Sequence, residues 1–143
     1  MQPYYIYYRS MPTLPIDDTP YIIKMIDDAI RSELMLINYY ESINDNNDNV
    51  YYSLIRNAKS HIYILKTIYG NLSGKSYNKD IPKENKIKTI SDAIIKNIEL
   101  SKMYRTILYS MKNQTHRYML FDIIIDNINN SILLNMIMNE TVK

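Results

Sequence analysis

Apolar residues recur along the chain in steps of three and four, and the runs between its prolines and asparagine-rich breaks are long enough for four helices. From about Thr19–Pro20 to about Ile43 the stripe reads Ile22, Ile26, Ala29/Ile30, Glu33, Ile37, Tyr40, one helical face with a carboxylate in its middle. Thr19 followed by Pro20 supplies an N-cap and a first-turn residue with fixed φ. "NDNNDN" at 44–49 is a turn and a source of caps, and beyond it Val50, Leu54, Ala58, His61, Leu65 and Ile68 predict a second helix over about 49–71. Gly74 offers the left-handed residue that ends it.

"KSYNKDIPKEN" is a polar connection ending near Pro82. A third helix, about 83–111, carries Ile87, Ile90, Ile94, Asn97, Ser101, Tyr104 and Leu108 on one side. "KNQT" breaks the pattern, and a fourth helix, about 115–139, carries Leu120, Ile124, Asn127, Asn130/Ser131, Leu134 and Met138. Each half is thus a helix with a polar residue in mid-stripe, a short turn, and a helix with two polar or small residues three apart, which points to an internal duplication. Short turns make two antiparallel hairpins, and the longer central connection leaves room for a crossover. The expected fold is all-α, an antiparallel four-helix bundle over 20–143. Residues 1–19, "MQPYYIYYRSMPTLPIDDT", have neither helical nor strand periodicity and are expected to form an extended Tyr/Pro-rich arm.

Composition narrows the chemistry. At 143 residues the chain fits one domain with a core of its own. It contains no cysteine, which removes thiolate catalysis, disulfides and cysteine-ligated metals and leans toward a reducing, cytoplasmic setting. The formal net charge is +2, from 17 basic and 15 acidic side chains scattered along the chain, too weak a field to recruit nucleic acid or anionic lipid. No apolar run approaches the roughly 20 residues that span a bilayer, and the first 20 residues lack a signal peptide's apolar centre. With 2 glycines there is no Gly-rich phosphate loop, and Ser, His and Asp do not fall into a nucleophile pattern. His116, near the last turn, has no partner in pattern and reads as a surface side chain. The many Ile, Asn, Lys and Tyr residues also fit an A/T-rich genome.

The polar mid-stripe positions carry the remaining signal. In carboxylate-bridged dimetal bundles two helices each supply a Glu and the other two each supply Glu-x-x-His, whose three-residue spacing brings both side chains to one ion pair. This sequence resembles that family, specifically the rubrerythrin-like ferritin-like proteins, over about residues 20–138. The segments that carry the resemblance are "AIRSELMLINYYES" (29–42), "IRNAKSHIYILKTIYGNLSG" (55–74), "AIIKNIELSKMYRTI" (93–107) and "LFDIIIDNINNSILLNMI" (120–137). The resemblance implies a ferritin-like bundle with a crossover between the second and third helices. It places the first-helix ligand on Glu33, seven residues before Tyr40, and the second-helix histidine on His61. The second-helix Glu falls on Ala58, and the third-helix Glu, seven residues before Tyr104–Arg105, on Asn97. On the fourth helix the Asp of the motif is kept as Asp126, while the Glu becomes Asn127 and the His becomes Asn130.

Two of the six ligand positions therefore survive, Glu33 and His61, and the loss of carboxylates removes the charge that balances two divalent cations. Without a metal, Glu33 and His61 are expected to pair across the first two helices, and Asn97, Asn127 and Asn130 to bond one another or a buried water. With one, the cofactor would be iron or another divalent metal held by Glu33, His61 and amide oxygens. The arm places four tyrosines in five residues from Tyr4, a surface suited to a neighbouring protein or to the chain's own bundle. Similar arms precede the bundle in rubrerythrin-like proteins of spore-forming bacteria, so the resemblance implies a sporulation-associated setting. The expected function is a non-catalytic bundle without cofactor, structural or engaged with a protein partner or itself, and with neither nucleic acid nor membrane. The alternatives are a metal-dependent oxidoreductase or ferroxidase with an atypical site, and a small-ligand binder using space vacated at Ala58.

Overall fold

The computed structural model describes residues 19–44 and 48–141, which form four helices and contain no strand. They are α1 (Thr19–Ile43), α2 (Asn49–Ser73), α3 (Ile90–Ser110) and α4 (Gln114–Thr141). None of them is long and apolar enough to cross a membrane. The expected arm lies outside the described residues, apart from Thr19, which opens α1.

Local chemistry sets the helix ends. Asp48 is the N-cap of α2, its carboxylate accepting from the Val50 N–H at 3.0 Å. Gly74 ends that helix with φ 71°, where a side chain would be strained, and its N–H donates to Gly70 O at 2.9 Å. The third helix starts later than its apolar spacing suggests. Thr89 and Asp92 form a capping box, with the Thr89 hydroxyl accepting from Asp92 N–H and the Asp92 carboxylate accepting from Thr89 N–H, each at 3.1 Å. Residues 83–88 are therefore connection, although Ile87 is buried in the core as the helical pattern expected. At the far end of α3 the Arg117 guanidinium donates to Leu108 O, which also accepts from the Met111 N–H, and to Met111 O.

The helix α1 packs on α2 and α3, and α4 packs on α3 and α2. The remaining pairs, α1 with α4 and α2 with α3, do not pack on each other and stand diagonally. Residues 74–89 thus join diagonal helices, and they lie against α1. Asp27 accepts from the Tyr77 hydroxyl at 2.7 Å and from Lys79 Nζ at 2.8 Å, and Asn85 Nδ2 donates to Met35 O. Between the helices lies a core that includes Ile26, Ile30, Leu54, Leu65, Leu100, Ile107 and Leu120. Burying each such side chain contributes about 1.5–3 kcal/mol. Polar side chains within this core cost free energy unless they are hydrogen-bonded.

Candidate functional site

Among the buried polar residues are Glu33, His61, Asn97, Ser101, Asn127 and Asn130, all in mid-helix and all but Ser101 at positions the resemblance assigns to ligands or their replacements. Four side chains, one from each helix, form a continuous chain of hydrogen bonds at this level. The Tyr104 hydroxyl donates to Glu33 Oε1 at 2.6 Å, His61 Nδ1 lies 2.9 Å from the same oxygen, and His61 Nε2 lies 3.1 Å from Asp126 Oδ2. Glu33, His61 and Tyr104 are buried, while the Asp126 side chain is 43 % exposed and carries the chain of bonds toward the surface.

The two ring contacts favour the protonated form of His61. A carboxylate only accepts, so both bonds coexist only when both ring nitrogens bear protons, which makes His61 an imidazolium between two carboxylates. Burial pulls its pKa down, but the hydrogen bonds and charges of Glu33 and Asp126 outweigh that pull and raise it. Burial, reinforced by the Glu33 charge, lifts the Tyr104 pKa well above its usual value, so Tyr104 stays a donor.

A second set of contacts repeats the first with the halves exchanged. Tyr40 stands seven residues after Glu33 as Tyr104 does after Asn97, and its hydroxyl oxygen accepts from Asn97 Nδ2 at 3.0 Å. Asn130 Oδ1, at the position matching His61, accepts at 3.1 Å from Asn57, which like Asp126 immediately precedes the position that the resemblance assigns to the Glu of its helix. One contact is not repeated: the link from Glu33 to His61 has no counterpart between Asn97 and Asn130. Asn97 Nδ2 is shared between Tyr40 and its own helix at Ala93 O, while Asn97 Oδ1 and both amide atoms of Asn127 are buried without a partner.

Of the sequence expectations, the pairing of Glu33 with His61 is present. The asparagines, however, do not bond one another: Asn97 turns to Tyr40, Asn130 turns to Asn57, and Asn127 bonds neither. Ala58 is buried in the core and contributes no polar atom. His116 is not a surface residue. It is 7 % exposed, with Nε2 2.9 Å from Asn71 Nδ2, because the first turn of α4 faces the end of α2. The roles of Asp126, Asn57 and the two tyrosines were not read from the sequence. The signal that could have found them is positional, since each sits at the same offset from a ligand position in both halves.

The donor set does not fit a pair of divalent ions. One imidazole and two carboxylates are committed to one another, and the remaining expected ligand positions offer a methyl and two amides where carboxylates would be needed and a third amide where an imidazole would be. Among the described residues, no group of three or more His, Cys, Asp or Glu side chains is arranged to hold a metal ion. The arrangement suits the holding of helix register by charge-assisted hydrogen bonds. Comparison with known proteins finds no matching family model, no matching curated protein and no matching solved structure.

Proposed function

We propose that this chain is a ferritin-like bundle of the rubrerythrin-like kind, antiparallel with a crossover from α2 to α3. In this reading a hydrogen-bonded polar centre has replaced the dimetal site. The protein is non-catalytic and carries no cofactor; it acts as a structural or interaction protein in the cytoplasm of a bacterium, in a sporulation-associated setting, with the Tyr/Pro arm as one contact surface. The observation that carries the reading is the commitment of the two surviving ligand-type side chains to each other: both ring nitrogens of His61 face carboxylates, and Glu33 Oε1 receives both His61 and Tyr104. The topology draws support from the pairings themselves. A step of seven residues up α1, from Glu33 to Tyr40, matches a step of seven down α3, from Tyr104 to Asn97. A step of four along α2, from Asn57 to His61, likewise matches four in reverse along α4, from Asn130 to Asp126.

The competing reading, a ferroxidase or related oxidoreductase with an atypical site, rests on the same carboxylate–imidazole–carboxylate row. Elemental mass spectrometry decides between them, on protein purified without chelators and again after anaerobic incubation with ferrous iron. No stoichiometric metal is expected in either sample, and Glu33→Gln should lower stability by about 3 kcal/mol. Two metals per chain, or an iron-dependent reaction lost in that variant, would overturn the reading.

A further inference from the structure

On the side of α4 that faces away from the polar centre, Tyr118, Phe121, Ile125, Ile128, Ile132 and Met136 recur in steps of three and four, and each is between 42 and 65 % exposed. The opposite side of the same helix buries Leu120, Ile123, Ile124 and Leu134. A helix that packs by one face needs one apolar stripe. A second stripe with near-heptad spacing has the form of a seam between two helices.

We propose that α4 pairs antiparallel with α4 of a second copy of this chain, about a two-fold axis beside Ile125 and Ile128. The pairing is self-complementary, as a two-fold interface requires: Tyr118 meets Met136 of the other copy, Phe121 meets Ile132, and Ile125 meets Ile128. Charge selects the antiparallel sense. An antiparallel pair sets Lys112, just before the N-terminal end of α4, near Glu140 at the C-terminal end of the other copy, so opposite charges meet at both ends of the seam. A parallel pair would instead set Lys112 beside Lys112 and Glu140 beside Glu140. The area also suffices. Full cover of the exposed parts of the six side chains would bury on the order of 1,200 Å² for the pair, the lower end of the range of specific, stable interfaces. This seam goes beyond the reading of the polar centre and is independent of it, because its residues lie on the far side of α4 from Asn127 and Asn130.

Sedimentation equilibrium of the full chain across the micromolar range tests the proposal directly. The unaltered chain is expected to be a dimer, and Phe121→Glu or Ile128→Glu should weaken it by about a hundredfold or more while helical circular dichroism is unchanged. Because the chain has no cysteine of its own, single-cysteine variants report the geometry. Under mild oxidation Ile125→Cys should cross-link to Ile128→Cys, and Tyr118→Cys to Met136→Cys, in mixtures, while Tyr118→Cys should not cross-link to itself. A monomer at every concentration would give the face to the chain's own N-terminal segment or to a different protein, and would overturn the proposal. So would a dimer untouched by both glutamates, or one in which Tyr118→Cys cross-links to itself.

Discussion

Tyr40 and Tyr104 make the same reach in opposite directions between α1 and α3. Tyr104 donates to Glu33 at 2.6 Å, and Tyr40 accepts from Asn97 at 3.0 Å. Replacing a carboxylate by an amide reverses the direction of the bond, because the amide nitrogen has protons to give.

That difference ranks two substitutions. Tyr104→Phe removes a buried hydrogen bond to a carboxylate and should cost about 2 kcal/mol, while Tyr40→Phe leaves Asn97 Nδ2 its bond to Ala93 O and should cost about 1 kcal/mol or less. Urea unfolding of both variants measures the order; equal costs, or the reverse, would count against a carboxylate-centred network.

The folded-state pKa of His61 is raised above its unfolded value of about 6.5. Its contribution to stability is therefore complete below about pH 6.5 and is lost as pH rises through the raised value. The denaturation midpoint should fall across that window, and His61→Gln should flatten the profile. A variant profile that kept the full slope would remove the doubly donating imidazolium from the account.

Asn127 is fully buried and neither amide atom has a partner. Asn127→Leu should remove that desolvation cost and raise stability by about 1 kcal/mol. Thermal melting reads the sign, and a loss of similar size would show that the amide is partnered, for example by an ordered water.

The capping box at the start of α3 satisfies two helix-end donors at once. Thr89→Ala should cost about 1 kcal/mol, with Thr89→Asp largely restoring it. Failure of the aspartate to rescue would point to a role for the threonine methyl instead of the cap.

The first two helices are legible because their punctuation and their periodicity agree: Asp48 and Gly74 stand where the apolar stripes begin and stop. The start of α3 is less legible. Ile87, Ile90 and Ile94 keep helical spacing across the true boundary, and Pro82 looks like a first-turn residue, so the Thr89–Asp92 signature is masked by a stronger pattern. Glu33 and His61 stand out as polar breaks in apolar stripes, and their pairing follows from opposite charge on adjacent helices. The destinations of the asparagines do not follow, because an amide can donate or accept with almost any neighbour. His116 misleads for a related reason: one histidine at a turn has no period, and only the packing of α2 against α4 buries it. The outer stripe of α4 is present in the sequence, yet a helix with two apolar sides offers no internal sign of which one faces the core.

The four interhelical contacts around the polar centre that pair repeated positions, Tyr104 with Glu33, Tyr40 with Asn97, His61 with Asp126 and Asn57 with Asn130, all join the first half of the chain to the second. The chain is in effect a heterodimer of two hairpins on one thread, and each hairpin holds the polar counterparts the other lacks. Two copies of the same hairpin would face Glu33 with Tyr40 but would leave His61 without Asp126. Only the mixed pair of hairpins sets a carboxylate on each side of His61.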